Sequence, residues 1–143
     1  MNELSFVAAD NEGSVELVPV VDGTSLTQLV EDYESDHGMT PSGGYAGLIP
    51  ARFNLGDLRT YYLAQNKRQR PGKGRMWVLG CDCGEIGCWP LEVTITIAGG
   101  QVTWTGFRQP HRPAWDYAAF GPFIFEETQY RDAVAGAASA AST

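Results

Sequence analysis

The two-strand pattern over residues 91–107 limits what this chain can fold into more than any other feature of the sequence. Apolar and polar residues alternate from Leu91 to Ile97 and again from Val102, which is typical of strands with one buried face. Gly99-Gly100 supplies the positive backbone angles of a two-residue hairpin turn. The predicted register pairs Ile97 with Val102, Thr96 with Thr103, Ile95 with Trp104, Thr94 with Thr105 and Val93 with Gly106. Because a slip of one residue would spoil both faces, the sequence predicts an antiparallel sheet.

Other segments add strands and helices to this hairpin. The first 21 residues predict a second hairpin with its turn at residues 10–13. Residues 76–79 are apolar on both faces, which predicts a central strand, and residues 123–125 predict a short strand. Ser25 and Gln28 have the form of a capping box. Asn54 predicts the start of a short helix, and Glu126 the start of a last one.

These segments predict a single α+β domain over residues 1–137. It consists of a mainly antiparallel sheet of two hairpins, with two or three helices covering one face. The small residues at 138–143 predict a flexible C-terminal tail. With 143 residues, of which 43% are apolar, the chain is long enough to bury one core and too short for two ordinary domains.

Charge is distributed unevenly along the chain. Residues 1–51 hold nine carboxylates and no Lys or Arg, residues 52–75 hold seven basic residues and one acid, and the net charge is −7. An acidic protein repels a polyanion, so general nucleic-acid binding is not expected. The basic segment 67–75 predicts a solvated loop tip between a helix and a strand, with an anion or phosphate contact as the alternative. No apolar run approaches the ~18 residues of a membrane span, and the N-terminus lacks the basic start of a signal peptide, so we expect a cytoplasmic protein that does not bind membranes.

Four carboxylates crowd the end of the first predicted helix: Glu31, Asp32, Glu34 and Asp36. The helix dipole is negative there, which makes the position unfavourable for acids. The ordinary interpretation is a solvated face, and the more specific alternative is a surface that binds a protein partner. The sequence has no G-x-S-x-G, P-loop, H-E-x-x-H or G-x-G-x-x-G motif. These observations favour a small acidic protein-binding module, inhibitor-like or immunity-like by analogy, over an enzyme.

The densest motif is the cysteine loop, residues 81–90, which holds Cys81, Cys83 and Cys88. Three thiols with His111 as a fourth ligand would suit tetrahedral zinc, although zinc loops usually space their cysteines as C-x₂-C or wider. A Cys81–Cys88 disulfide is a second alternative, which a reducing cytoplasm disfavours. A reactive thiolate with His111 as its base is a third. The ordinary interpretation is a tight turn of small, mostly buried residues that binds no cofactor.

The histidine loop, residues 109–117, has the residue types of acid–base catalysis, and equally those of a loop held by its polar side chains. His111, Asp116 and Glu85 are the catalytic candidates. The alternative function is therefore a zinc-binding or Cys/His-dependent enzyme centred on the cysteine loop and His111.

Four segments in the C-terminal half carry a resemblance. They are C-D-C-G-E-I-G-C-W-P-L at 81–91, V-T-W at 102–104, Q-P-H-R at 109–112 and W-D-Y at 115–117. In these segments the chain resembles a family of small uncharacterised bacterial proteins. The resemblance implies no particular activity, substrate or cofactor. It implies that the cysteine loop and the histidine loop form one unit.

The hairpin register makes the same prediction from geometry. Neighbouring antiparallel strands lie ~4.8 Å apart, so the residues that follow Gly106 should leave the sheet at the end where the cysteine loop lies. We expect His111 to lie near the cysteines, and the three sulfurs not to converge on one point.

Overall fold

The computed structural model describes residues 1–142, which form two antiparallel sheets and three helices. The first sheet has the strand order β1 (Leu4–Asn11), β2 (Ser14–Val21), β3 (Thr24–Ser25). Glu12 and Gly13 make the turn between β1 and β2, with φ of 52° and 85°. Positive angles at both central residues match the twist of a tight hairpin. The predicted first hairpin is therefore confirmed.

The second sheet has six strands. They are β4 (Tyr45–Ala46), β5 (Pro71–Gly72), β6 (Arg75–Cys81), β7 (Leu91–Ala98), β8 (Gln101–Arg108) and β9 (Phe123–Glu126), in the order β4-β6-β7-β8-β9 with β5 paired to β6. The prediction of a central strand at 76–79 is confirmed, since β6 has neighbours on both sides. The two hairpins lie in separate sheets, whereas the sequence predicted one sheet for both. Leu17 and Leu48 bridge β2 to the residues that follow β4 of the second sheet, at 2.8 and 3.0 Å between backbone N and O.

The β7–β8 register is confirmed for four of the five predicted pairs, from Ile97–Val102 to Thr94–Thr105. The fifth, Val93 with Gly106, is wrong because a β-bulge intervenes and pairs Glu92 with Arg108. Gly106 has φ +61°, and a glycine in this region is the usual first residue of such a bulge. The bulge brings Arg108 beside Glu92, a buried carboxylate that also bonds to Arg75.

Three helices complete the domain. The first, α1 (Leu26–Asp36), is capped by Ser25, whose Oγ accepts from the Gln28 N–H at 3.3 Å. The second, α2 (Leu58–Tyr61), is capped by Asp57 rather than by Asn54 as predicted. The third, α3 (Glu127–Ala141), is capped by Glu126. This helix extends four residues beyond 137. The flexibility of the tail stays a prediction, and Thr143 lies outside the described residues.

The core lies between the two sheets and the helices. Its largest fully buried side chains include Trp104, Tyr61, Tyr62, Tyr130 and Phe125. The α+β architecture of a single small domain is thus confirmed. Across residues 1–142, none of the helices has both the length and the apolar character needed to cross a membrane.

A contrast between two buried tyrosines gives a first prediction. The Tyr62 hydroxyl is buried, with no hydrogen-bond partner among residues 1–142. The Tyr130 hydroxyl accepts from Trp104 Nε1 at 3.0 Å and donates to the Tyr62 carbonyl. Replacing Tyr62 with Phe removes an unpaired polar group, so we expect the free energy of unfolding to stay the same or rise by up to about 1 kcal/mol. Tyr130→Phe leaves two groups unpaired and should lower it by about 1–3 kcal/mol. Urea unfolding of both variants measures the difference, and an equal loss in both would contradict it.

Candidate metal centre

The cysteine loop begins where β6 ends and folds back on itself within five residues. The Cys81 N–H donates to the Glu85 carbonyl at 3.1 Å, and the Gly84 N–H donates to the Cys81 carbonyl at 3.1 Å. Gly84 takes φ +97°, which a residue with a side chain rarely adopts. The Asp82 N–H donates to the Gly44 carbonyl at 3.0 Å, and this bond fixes the loop to the segment before β4.

The three thiols converge. Their sulfur atoms all lie within 4.8 Å of one another, with Cys83 and Cys88 exposed and Cys81 half-buried. All three are free cysteines. The expectation that the sulfurs would not converge is wrong, and so is the interpretation of the cysteines as mostly buried packing residues. The reason is the tight turn at Gly84, which brings the end of the loop back over its beginning.

Hydrogen bonds within the cluster make the thiols unequal. Bonds from the Cys81 thiol, the Glu85 backbone N–H and the Cys88 thiol lower the pKa of Cys83. Burial and its bond to Cys83 raise the pKa of Cys81 to about 11. The bond to Cys83 and the charge there raise the pKa of Cys88. Cys83 is therefore the first of the three to become a thiolate, the form that binds metals and reacts as a nucleophile.

His111 lies beside the cysteine loop, as predicted. Its Nε2 is 2.7 Å from the Gly87 carbonyl, and its ring stacks on Trp89 with 6.4 Å between ring centroids. A carbonyl only accepts, so Nε2 carries a proton and donates it. In the described part of the chain the converging ligand atoms are the three sulfurs alone. The predicted Cys₃His ligand set is thus not formed, because the imidazole is held by the backbone next to Cys88.

The catalytic candidates separate in the structure. Glu85 is exposed and lies at the cluster, with Oε2 3.8 Å from Cys88 Sγ. Asp116 instead holds its own loop, because its Oδ1 accepts from the Ala118 N–H at 2.8 Å and its carbonyl accepts from the Tyr33 hydroxyl at 2.8 Å. Of the two carboxylates, only Glu85 contacts a thiol.

A buried amide joins the two loops. Gln109 is 1% exposed, and its Nε2 donates to the Pro90 carbonyl and the Tyr45 hydroxyl, both at 3.0 Å. Its Oε1 accepts from the His111 N–H at 3.1 Å. Tyr45 is paired across the sheet with Cys81. Gln109 therefore connects the histidine loop, the end of the cysteine loop and the strand beside the cluster.

Glu34 is fully buried. The prediction that it belongs to an acidic surface for a partner is therefore wrong. Its carboxylate accepts from the Gly43 N–H at 2.8 Å, the Tyr45 hydroxyl at 2.7 Å and the Tyr117 hydroxyl at 2.6 Å. It occupies the inward face of α1 together with Leu26 and Val30, at a spacing of four residues.

Burial, followed by the contact with Glu34, raises the pKa of the Tyr117 hydroxyl, and burial also raises that of Tyr45. Both hydroxyls therefore remain donors to the carboxylate. Glu31, Asp32 and Asp36 are exposed, and their role as a partner surface stays a prediction.

Two residues near the cluster have contacts that the sequence did not predict. Tyr45 stands in a Gly- and Pro-rich segment with no periodic pattern, so no local signal marks it. The Arg112 guanidinium lies over the rings of Trp89 and Trp115, 5.0 and 5.9 Å from their centroids. The interleaved aromatic and basic residues of the histidine loop were the available signal for this cation–π contact.

Comparisons with protein-family models, with curated proteins and with solved structures found no match to this chain.

Proposed function

We propose that Cys81, Cys83 and Cys88 form a zinc site with three protein ligands and an open fourth position. The observation that supports the proposal is the convergence of three sulfurs, two exposed and one half-buried, within 4.8 Å of one another. In tetrahedral zinc with Zn–S bonds of ~2.3 Å, the sulfurs stand roughly 3.8 Å apart. Contraction by at most about 1 Å reaches that geometry, and the exposed side chains of Cys83 and Cys88 have room to move.

The surroundings of the sulfurs suit bound thiolates. The Cys83 N–H donates to Cys81 Sγ at 3.3 Å, and such bonds stabilise and orient a metal ligand. His111 holds the Gly87 carbonyl, immediately before Cys88, and so acts as a positioning residue for that thiol. Soft thiolate ligands favour zinc or Cu(I) over Mg²⁺ or Ca²⁺. When bound, zinc supplies a Lewis acid at a position that solvent reaches.

Metal loading under reducing conditions tests the proposal. We expect one zinc per chain by mass spectrometry of the loaded protein, and sulfur-to-cobalt charge-transfer absorption when Co²⁺ replaces zinc. Cys88→Ser should weaken zinc binding by more than the ~100-fold that follows loss of a hydrogen bond to a ligand. No stoichiometric metal, or cobalt spectra without thiolate bands, would exclude the site.

The two histidines of the chain provide a matched pair of variants. His111→Ala removes the bond to Gly87 and should weaken zinc binding by about 10-fold. His37→Ala removes a histidine that stacks on Tyr33 at the end of α1, and should leave zinc binding unchanged. Equal effects of the two substitutions on zinc binding would argue against the positioning role of His111.

Proton competition gives a pH prediction. Zinc binds thiolates, and the pKa values of Cys81 and Cys88 lie above the ordinary 9.0 of a thiol. Both are protonated at neutral pH, so binding must release at least two protons, and affinity must rise with pH. We expect a gain of at least ~100-fold per pH unit between about pH 6 and pH 8. Calorimetry in two buffers of different ionisation enthalpy counts the protons, and a count clearly below two would contradict the prediction.

A further inference from the structure

A second site lies beside the cysteine loop, on the outer face of the six-stranded sheet. It is a cleft of about 410 Å³ whose walls come from residues 52–55, from Arg70, from Trp77 on β6 and from residues 85–87 of the cysteine loop. This volume is within the range of small-molecule sites. The cleft shares residues 85–87 with the cysteine loop, but none of the three thiols lines it.

Two guanidinium groups face the cleft with little to neutralise them. Arg70 is exposed, and its side chain has no hydrogen-bond or ion-pair partner among residues 1–142. Arg52 is 32% exposed, and its contacts are long ones, to the Asn11 carbonyl at 3.3 Å and to Glu12 at 3.5 Å. Glu12 is itself 85% exposed, so its ion pair with Arg52 is weak in water. Both cations are thus available to an anion, and guanidinium groups match phosphate and carboxylate in shape.

The cleft also has an apolar, partly aromatic wall. Trp77 is half-buried and points away from the core, because its neighbours Met76 and Val78 take the inward face of β6. Pro71 pairs with Met76 across the β5–β6 hairpin, so the chain places Arg70 opposite Trp77. Phe53 and Ile86 supply further apolar surface. A flat ring can pack on Trp77 while its charged group reaches the arginines.

We propose that this cleft binds a small anionic aromatic molecule, one ring carrying a phosphate or a carboxylate. Glu85 is the one acid among the lining residues described. Its charge, with the net −7 of the chain, disfavours long polyanions and leaves a small ligand. This inference does not rest on metal binding, since the lining residues include no thiol.

Titration calorimetry on the full chain, with three probes, tests the proposal. Phenyl phosphate and benzoate distinguish the two anionic groups, and benzyl alcohol is the uncharged ring. We expect at least one anion to bind one per chain, at least ~10-fold tighter than benzyl alcohol. Arg70→Gln should weaken the binding of that anion by about 10-fold. Arg68→Gln removes the same charge two residues away, outside the cleft, and should change affinity less than 2-fold.

Three outcomes would overturn the proposal: no binding of either anion at millimolar concentration, equal binding of benzyl alcohol, or equal effects of the two arginine variants. Each titration is repeated with chelator and with zinc, and with Cys88→Ser. Unchanged anion binding in Cys88→Ser separates the two sites, so that failure of the zinc site leaves the cleft standing and failure of the cleft leaves the zinc site standing.

Discussion

Replacing Glu34 with alanine should lower the free energy of unfolding by about 3–5 kcal/mol. The substitution leaves the Gly43 N–H and the hydroxyls of Tyr45 and Tyr117 without their acceptor, and each buried donor left unpaired costs about 1–3 kcal/mol. A cavity adds to the loss. Urea unfolding at constant m-value measures the change.

Two variants on the same helix serve as controls for Glu34. Glu34→Gln keeps one acceptor oxygen and should lose less than the alanine variant. Asp36→Ala removes an exposed carboxylate two residues further along, and should change stability by less than about 0.5 kcal/mol. A loss of that small size in Glu34→Ala would mean that the buried carboxylate contributes nothing to stability.

Gln109→Leu should have the second largest effect, because it keeps the volume of the side chain and removes its polar contacts. The Pro90 carbonyl and the His111 N–H lose their partner, so we expect a loss of about 2–4 kcal/mol in stability. The zinc affinity of the three cysteines should also fall by about 10-fold, since both loops lose their common support. Chemical denaturation and competition with a chromophoric chelator measure the two effects.

Gln101 offers a matched control for Gln109. It is exposed at the other end of β8, and Gln101→Leu should change stability by less than about 0.5 kcal/mol and leave metal affinity as it was. Equal losses in the two variants would assign the effect to the leucine rather than to the broken contacts.

The parts of the fold that follow from local patterns were predictable. Alternation and a Gly-Gly turn are enough to set the register near the turn, where each pair is adjacent to the last. The bulge at Gly106 lies beyond that range, although a lone glycine inside a strand pattern is a known sign of one. The way the two sheets are joined depends on contacts between distant segments, such as Leu17 with Leu48, which leave no local mark.

The candidate site divides in the same way. Antiparallel geometry predicted that the cysteine and histidine loops lie together. The convergence of the sulfurs depends on the backbone of a turn at Gly84, which residue spacing does not define. Glu34 was predicted to be exposed because it is charged, although its position on the helix indicates burial. Its spacing of four and eight residues from Val30 and Leu26 marks the buried face of α1.

The extra residue at Gly106 exchanges the roles of odd and even positions along a single strand. Before it, the even-numbered Val102 and Trp104 point into the core; after it, the odd-numbered Phe107 and Gln109 do so, and Arg108 turns outward to Glu92. Pairing these strands without the bulge, at the same chain length, would turn Arg108 inward and the Gln109 amide outward, whereas deleting Gly106 itself would leave both facing as they do. The bulge, and not the length of β8 alone, therefore determines that the amide joining the two loops is buried.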